Sequence, residues 1–216
     1  MENNLYRYVY GLTGIIGSGK SSVASFFKKE GAVILNADDF AKLAVTPKYK
    51  NFSLIKEKLI SVFEKDVREK TGEDLFINGQ KLNRKALREV VFHNNKKLKT
   101  LNEIIHPEVR KLFIENVLNV SKDKIIIYEV PLLFETKLNK LVRKTIVVYC
   151  EENTAIKRAS ERMGISQDAI KKILNKQISI EKKLKMADHI INNNGKLEET
   201  KFQVKKLMKS LKPKEI

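Results

Sequence analysis

The sequence predicts a three-layer α/β fold built on a five-stranded parallel sheet. The first observation behind this prediction is the N-terminal order of strand pattern, glycine-rich loop, helix pattern and second strand pattern. The second is the return of buried-strand patterns over residues 124–130 and 144–150, after a long helical stretch. Strands that alternate with helices in this way form parallel sheets joined by right-handed crossovers.

The first elements are predicted from local patterns. Residues 6–12 (YRYVYGL) are rich in β-branched and aromatic side chains and lead into glycines, which is typical of a strand. Apolar residues recur at helical spacing in residues 20–30. Residues 31–35 (GAVIL) begin with a turn-forming glycine and continue as a short apolar strand.

From Phe40 to Val120 the pattern is mostly helical, and the turn-rich residues 69–83 are expected to form a loop. No apolar run of core-strand quality occurs there, so we interpret residues from about 40 to 120 as a helical insertion. The insertion interrupts a single domain, whose core is predicted to be residues 1–39 and 121–216.

The C-terminal part of the sequence returns to sheet and helix patterns. Two helices are predicted within residues 151–180, where Gly164 ends the first and Ser166 caps the second. We interpret this segment as a short lid. Residues 188–195 are predicted to form the last strand and a turn, and a basic helix is expected from Lys196 onward.

Composition limits the class of protein. Hydrophobic residues make up 42% and charged residues 32% of the 216 residues, as in soluble globular proteins. No apolar run reaches the ~18 residues of a membrane-spanning helix, and the N-terminal MENNLYRY does not resemble a secretory signal. The single cysteine, Cys150, excludes an internal disulfide and gives no zinc cluster. We expect a cytoplasmic protein without a membrane partner, and we favour a monomer.

The chain is strongly basic. It has 43 Lys and Arg against 26 Asp and Glu, a formal net charge of +17. Such a balance favours anionic partners such as nucleic acid, membrane surfaces or phosphorylated metabolites. Solvated helix faces explain the scattered lysines better than a dedicated nucleic-acid surface does, because no basic stripe interleaved with aromatic residues occurs. We therefore expect no obligate nucleic-acid partner.

Four of the nine glycines lie in GLTGIIGSGKSS, residues 11–22. Residues 14–21 match G-x-x-x-x-G-K-[ST], the phosphate-binding P-loop, between a predicted strand and a predicted helix. Glycines let backbone N–H groups approach phosphate oxygens, and the helix N-terminus adds partial positive charge. Lys20 should reach the β- and γ-phosphates of a nucleoside triphosphate, and Ser21 should bind Mg²⁺. The predicted nucleotide-binding residues of this stretch are Gly14, Gly17, Ser18, Gly19, Lys20, Ser21 and Ser22.

A P-loop alone does not separate kinases from GTPases or ATP-driven nucleic-acid enzymes. The guanine-binding N-K-x-D motif is absent, because NKQI (175–178) ends in isoleucine. The apolar run at 124–130 offers one carboxylate, Glu129. This glutamate either assists the placement of Mg²⁺ or water, or is a strand-end charge that faces solvent.

A kinase also needs a carboxylate that orients or deprotonates the acceptor hydroxyl. Asp38 and Asp39 follow the second predicted strand, and ligands of open α/β sheets bind beyond the strand ends. Helix capping is the alternative role for this pair. Arg158 and Arg162 lie four residues apart on one predicted helix, where they either neutralise phosphate charge or form a solvated face.

Several motifs together resemble the dephospho-CoA kinase family in order and approximate spacing. They are LTGIIGSGKSS, NADDFA, LNEIIHPEV, VPLLFE, IKRASERMG and ADHIINNNG, which extend from about Val9 to Gly195. The P-loop is generic, whereas the combination of HP, PLLFE and NNG is specific. The resemblance implies a P-loop kinase that transfers the γ-phosphate of ATP to the ribose 3′-hydroxyl of dephospho-CoA, the last step of coenzyme A synthesis.

The resemblance also implies roles for single residues. On the acceptor side, Asp38 matches the base that faces the hydroxyl, Thr13 would lie near the acceptor, and His106 would shape its pocket. A packed residue at a kink before proline is the alternative for His106. On the nucleotide side, Arg158 matches a lid arginine that binds phosphate, and Asn193 and Gly195 match the adenine-side loop.

The sequence departs from the family pattern at two positions. Ile15 stands where the family usually has a glycine, which affects only the local shape of the loop. Asn36 replaces the first acid of a D-A-D stretch, so an amide stands where a charge is usual, and Asp38 is the better candidate for the base. Two alternative functions stay open: another small-molecule kinase, such as a nucleoside or nucleotide kinase, and an ATP-dependent nucleic-acid-binding protein.

Overall fold

The computed structural model describes residues 8–92 and 94–211, which form both strands and helices. In chain order the elements are β1 (Val9–Thr13), α1 (Lys20–Lys29), β2 (Val33–Asn36), α2 (Ala37–Ala44), α3 (Phe52–Thr71), β3 (Phe76–Ile77), β4 (Lys81–Leu82), α4 (Arg84–Val91), α5 (Asn95–Asn119), β5 (Ile126–Glu129), a 3₁₀ helix (Leu138–Leu141), β6 (Lys144–Tyr149), α6 (Glu152–Met163), α7 (Gln167–Leu174), α8 (Ile180–Lys185), β7 (His189–Asn192) and α9 (Leu197–Leu211).

The chain divides into two compact units. The first contains the residues up to Asn36 and those from Asn116 onward, and the second is Ala37–Glu115. In the first unit, five strands form one sheet in the order β2-β5-β1-β6-β7, and every neighbouring pair is parallel. The predicted five-stranded parallel sheet is therefore confirmed.

Alternate residues of β6 show how the sheet is covered on both faces. Ile146 and Val148 lie in a buried cluster with side chains of α1 and α9. Val147, between them, lies in a second buried cluster with side chains of α6, α7 and α8. Successive side chains of a strand point to opposite faces, so the sheet is the middle of three layers. No helix of the described residues is both long enough and apolar enough to cross a membrane.

The carboxyl ends of the strands meet at one edge of this sheet. Leu12 and Asn36 are both in register with Glu129, and Thr13 is in register with Val147. From the central strand β1 the chain crosses to β2 and β5 on one side and later to β6 and β7 on the other. Such a reversal of strand order opens a crevice beyond the strand ends, where ligands of α/β proteins bind.

Most predicted boundaries in the first unit are confirmed. Gly164 ends α6 with a left-handed φ of 64°, and the Ser166 hydroxyl accepts a hydrogen bond from Ala169 N and caps α7. The predicted basic C-terminal helix is α9, as far as Leu211. Of the strand predicted over residues 6–12, the first two residues lie outside the described part of the chain, and β1 begins at Val9.

The second unit is helical, as predicted, but the prediction of a loop over residues 69–83 was wrong in part. Residues 76–82 form a small antiparallel hairpin, in which Phe76 pairs with Leu82 and Ile77 with Lys81. Asn78 and Gly79 turn the chain with φ values of 48° and 67°. Asn-Gly is a favourable hairpin turn because both residues tolerate positive φ, so the signal was present in the sequence.

A buried carboxylate joins two segments of the second unit. Glu108, in α5, is 7% exposed and accepts hydrogen bonds from the Tyr49 hydroxyl (2.8 Å), Asn51 Nδ2 (2.9 Å) and Lys111 Nζ (2.7 Å). Burial alone would raise the pKa of Glu108, but the hydrogen bonds from these groups outweigh it and lower the pKa to about 2. The ionised form of Glu108 therefore stabilises the folded unit.

We expect Glu108→Gln to lower the free energy of unfolding at pH 7 by about 1.5–3 kcal/mol, the range for hydrogen bonds to charged groups. Because the folded pKa is depressed from 4.5 to about 2, the contribution is present above pH 4.5 and is lost as the pH falls toward 2. Urea denaturation of the whole chain at pH 7 and pH 3 measures this. Glu115→Gln, on the same helix with an exposed Lys50 partner, is the control and should change little. Equal effects at both pH values would contradict the interpretation.

Candidate active site

The P-loop connects β1 to α1 at the carboxyl edge of the sheet, and its glycines are required by close approach. A Cβ atom on Gly17, whose φ is 78°, would lie 2.0 Å from the Ala155 carbonyl oxygen of α6. A Cβ atom on Gly19, whose φ is 89°, would lie 2.1 Å from Asn193 Nδ2. At Gly17 the obstacle is backbone, which cannot move aside, whereas at Gly19 it is the end of a side chain, and the positive φ adds strain for any other residue.

The P-loop lysine folds back over the loop. Lys20 Nζ donates hydrogen bonds to the carbonyl oxygens of Gly14 and Ile15, each at 3.0 Å. Lys20 is also the first residue of α1, and no acidic residue lies in the first turn of that helix. The ammonium group and the positive end of the helix therefore act together on any anion that the loop binds.

Side chains from the ends of two strands and from α1 meet at Glu129. This glutamate is only 5% exposed, and its Oε1 accepts a hydrogen bond from Ser21 Oγ at 2.9 Å. Its Oε2 accepts a hydrogen bond from Asn36 Nδ2 at 3.0 Å. Of the two roles left open for Glu129, a charge that faces solvent is therefore wrong. The carboxylate lies behind the P-loop serine instead.

Asn193 connects the turn after β7 to the P-loop. Its Nδ2 donates to the Ser18 carbonyl oxygen at 2.8 Å, and its Oδ1 accepts from the Thr200 hydroxyl at 3.0 Å. Arg158 Nη1 donates to the Asn193 carbonyl oxygen at 2.9 Å. The structure thus brings Arg158, Asn193 and the P-loop together. Asn193 is 7% exposed, and its side-chain amide is bonded to protein.

Cys150 and two further predicted residues, Arg162 and Gly195, lie in the same unit. Cys150 is buried beside Arg158, and burial raises the pKa of its thiol although the nearby Arg158 and Lys20 charges oppose the shift. The thiol therefore stays neutral at ordinary pH. Arg162, near the end of α6, is exposed, and Gly195 lies two residues beyond Asn193, before α9.

The predicted acceptor-side residues lie on different elements. Thr13, the last residue of β1, is fully buried, and its hydroxyl donates to the Pro131 carbonyl oxygen at 3.1 Å. Asp38 and Asp39 are exposed in the first turn of α2, in the second unit, where Asp39 forms an ion pair with Lys42. His106 is an exposed residue of α5 directly before Pro107. The roles of these residues in catalysis and binding stay predictions.

Sequence reasoning missed one polar contact to the P-loop. Gln177 lies between α7 and α8, and its Oε1 accepts a hydrogen bond from the Ile16 backbone N–H at 3.1 Å. Glu135 and Lys183 form a buried ion pair next to this segment. Glu135 was visible in the PLLFE motif, but no local pattern singles out Gln177 or Lys183.

The P-loop follows the central strand of the sheet, Lys20 and Ser21 begin the next helix, and a later helix supplies an arginine. Together these features define the molecule as a P-loop kinase. Comparison with known proteins gives the family. The family model described as dephospho-CoA kinase matches residues 8–199. This chain belongs to the dephospho-CoA kinase family, whose members are ATP-dependent enzymes.

Individual relatives agree over nearly the whole chain. The chain is 35% identical to the dephospho-CoA kinase of Fusobacterium nucleatum, over 94% of this chain and 98% of that protein. It is 40% identical to the dephospho-CoA kinase of gamma-proteobacterium EBAC31A08, over 91% of this chain and 93% of that protein. The solved structure of dephospho-CoA kinase from Campylobacter jejuni is 28% identical and has a TM-score of 0.68, covering 95% of this chain and 97% of that one.

Substitutions at Gly17, in the P-loop, and at Gly164, at the end of α6, distinguish the effect of backbone strain from that of a steric clash. Gly17 and Gly164 have similar positive φ values, 78° and 64°, but nothing lies within 4 Å of a Cβ atom on Gly164. We expect Gly164→Ala to cost about 1–2 kcal/mol of stability from strain alone, with ATP binding unchanged. Gly17→Ala adds a clash with the backbone of α6, and should lower ATP affinity by more than about tenfold.

Thermal unfolding and calorimetric titration with ATP measure both effects. ATP affinity that falls equally in both variants would show that crowding at Gly17 is unimportant.

Proposed function

We propose that this chain transfers the γ-phosphate of ATP to the ribose 3′-hydroxyl of dephospho-CoA, which yields coenzyme A and ADP. The observation that carries the proposal is the P-loop geometry in a chain of this family: glycines in close contact with other segments, and Lys20 and Ser21 at the start of α1. ATP is the phosphate donor of such kinases. We place the reaction in the cytoplasm.

The nucleotide side of the proposed site belongs to the first unit. Backbone N–H groups of the P-loop and the N-terminus of α1 are suited to hold the triphosphate. Lys20 then counters charge on the β- and γ-phosphates. Arg158, held against the Asn193 carbonyl at 2.9 Å, adds a second cation in this region, and the exposed Arg162 is one helical turn further along α6. We propose α6 and α7 as the lid over the nucleotide.

The residues near Ser21 fit the Mg²⁺ ion that accompanies ATP. Ser21 Oγ and the Glu129 carboxylate are oxygen donors, which Mg²⁺ prefers, and they lie 2.9 Å apart. Ser21 would hold the ion directly, while Glu129, itself bonded to Asn36, would orient the serine hydroxyl or a bound water. When bound, Mg²⁺ would supply positive charge that offsets the negative charge of the phosphates.

The acceptor-side roles are proposed from the family resemblance, residue by residue. Asp38 follows the last residue of β2, Asn36, by two positions and lies in the first turn of α2. We propose that Asp38 orients the 3′-hydroxyl and accepts its proton as the oxygen attacks the γ-phosphorus and ADP leaves in line. Thr13 supports the strand edge through Pro131, and His106 is proposed to contribute to acceptor binding.

The direct test is mass spectrometry of the product formed from ATP and dephospho-CoA. A mass gain of one phosphate on dephospho-CoA, with the phosphate on the 3′-oxygen, supports the proposal. The same assay with a panel of nucleosides and nucleotides tests the alternative of another small-molecule kinase. Phosphorylation of one of these at a higher rate, with dephospho-CoA unchanged, would overturn the proposal.

Asp38→Asn tests the proposed base. We expect turnover to fall by about 10²–10⁴-fold, the usual contribution of a positioned general base, while ATP affinity stays within about twofold. Asp39→Asn is the matched control, because Asp39 is the neighbouring carboxylate in the same turn and pairs with Lys42 instead. Initial rates and ATP titrations are measured for both. Normal turnover in Asp38→Asn would remove Asp38 from this role.

A further inference from the structure

One backbone N–H group near the start of the P-loop is bonded to a side chain from a distant segment. Ile16 N donates to Gln177 Oε1 at 3.1 Å. Gln177 lies in the short connection between α7 and α8, where its own backbone N–H donates to the Leu174 carbonyl oxygen at 2.8 Å. The polar end of Gln177 therefore points at the loop that we propose binds the triphosphate.

The segment that carries Gln177 is held in place by a buried ion pair. Glu135 Oε1 accepts hydrogen bonds from Ile178 N at 2.9 Å and from Lys183 Nζ at 2.8 Å. The Lys183 side chain is 0% exposed and the Glu135 side chain 16% exposed. Lys183 Nζ also donates to the Pro131 carbonyl oxygen at 3.4 Å. A buried pair is costly to separate, so Ile178 and its neighbour Gln177 have a defined position.

Apolar contacts also hold the P-loop against this segment. Ile15 is fully buried in the cluster that contains Ile170 and Ile180, and Ile16 and Ile178 pack against the same cluster. The first half of the P-loop is thus anchored by side chains to α7 and α8, and the Gln177 hydrogen bond adds a directional contact to this packing.

We propose that Gln177 is a positioning residue of the P-loop. By accepting the Ile16 N–H, it keeps the loop in its phosphate-binding shape before the nucleotide arrives, so less conformational freedom is lost on binding. The acceptor is a neutral amide. A carboxylate would form the same hydrogen bond, but it would place a negative charge near a polyanionic ligand. The inference rests on the proposed binding of ATP at this loop.

Three variants of the whole chain test this role. Gln177→Met keeps the approximate length of the side chain but removes the acceptor. We expect its dissociation constant for Mg-ATP, and its KM for ATP, to rise about three- to tenfold, the effect of one hydrogen bond. kcat at saturating ATP should stay within about twofold. Gln80→Met, at an exposed glutamine in the hairpin turn of the second unit, is the matched control and should bind ATP like the wild type.

Gln177→Glu separates the hydrogen bond from the charge. Hydrogen exchange of the Ile16 amide, followed by NMR, should be slow in the wild type and in Gln177→Glu, and faster in Gln177→Met. ATP affinity should be reduced in both Gln177 variants. The methionine lacks the hydrogen-bond acceptor, whereas the glutamate retains the hydrogen bond but repels phosphate. A role limited to general stability would lower the melting temperature and leave the ATP dissociation constant unchanged.

Two results would overturn the inference. One is unchanged ATP affinity in Gln177→Met with slow exchange at Ile16. The other is tighter ATP binding in that variant, which would mean that Gln177 competes with phosphate for the amide. Neither ATP affinity nor amide exchange depends on phosphoryl transfer, so both remain decisive even if the wild type fails to phosphorylate dephospho-CoA. That failure would count against the proposed function and not against the role of Gln177.

Discussion

The P-loop backbone approaches two other segments so closely that a Cβ atom on either of two glycines would clash with them. Gly17 faces the carbonyl group of Ala155, and Gly19 faces the amide of Asn193. These contacts determine where α6 and the turn after β7 lie, because both are packed directly on the loop. Arg158 lies one helical turn beyond Ala155, and its hydrogen bond to the Asn193 carbonyl joins the two segments. The glycines thus position cationic groups as well as phosphate-binding amides.

The positive charges next to the P-loop suit a polyanionic ligand, and distant charges elsewhere in the chain contribute little to its binding. Lys20 and Arg158 lie in the P-loop region, and the carboxylate there, Glu129, is buried and bonded to Ser21 and Asn36. Many other basic side chains are exposed lysines along helices, and exposed charges more than about 10 Å away are largely screened at physiological ionic strength. The formal charge of +17 therefore affects encounter rates more than the binding geometry.

Local patterns were sufficient for most of the fold, whereas contacts between distant residues were not predictable. The sheet, the P-loop, Gly164 and Ser166 depend on neighbours within a few residues, so their signals lie in short stretches. The Asn78-Gly79 pair is a favourable hairpin turn, but it lies in a polar stretch that was therefore predicted to be a loop. The bonds from Asn36 to Glu129 and from Ile16 to Gln177 join residues far apart in sequence. Only the three-dimensional register of the strands and helices brings such pairs together.

Ile15, which replaces the glycine usual in the family, packs against neighbouring helices. The family resemblance favours glycine there, yet Ile15 is fully buried among side chains of α6, α7 and α8. A glycine would contribute no apolar contact at this position and would leave the loop freer in the unbound state. In this chain the bulky side chain attaches the start of the P-loop to the helices that carry Arg158 and precede Gln177. A rearrangement of those helices would therefore be transmitted to the phosphate-binding loop by packing as well as by hydrogen bonds.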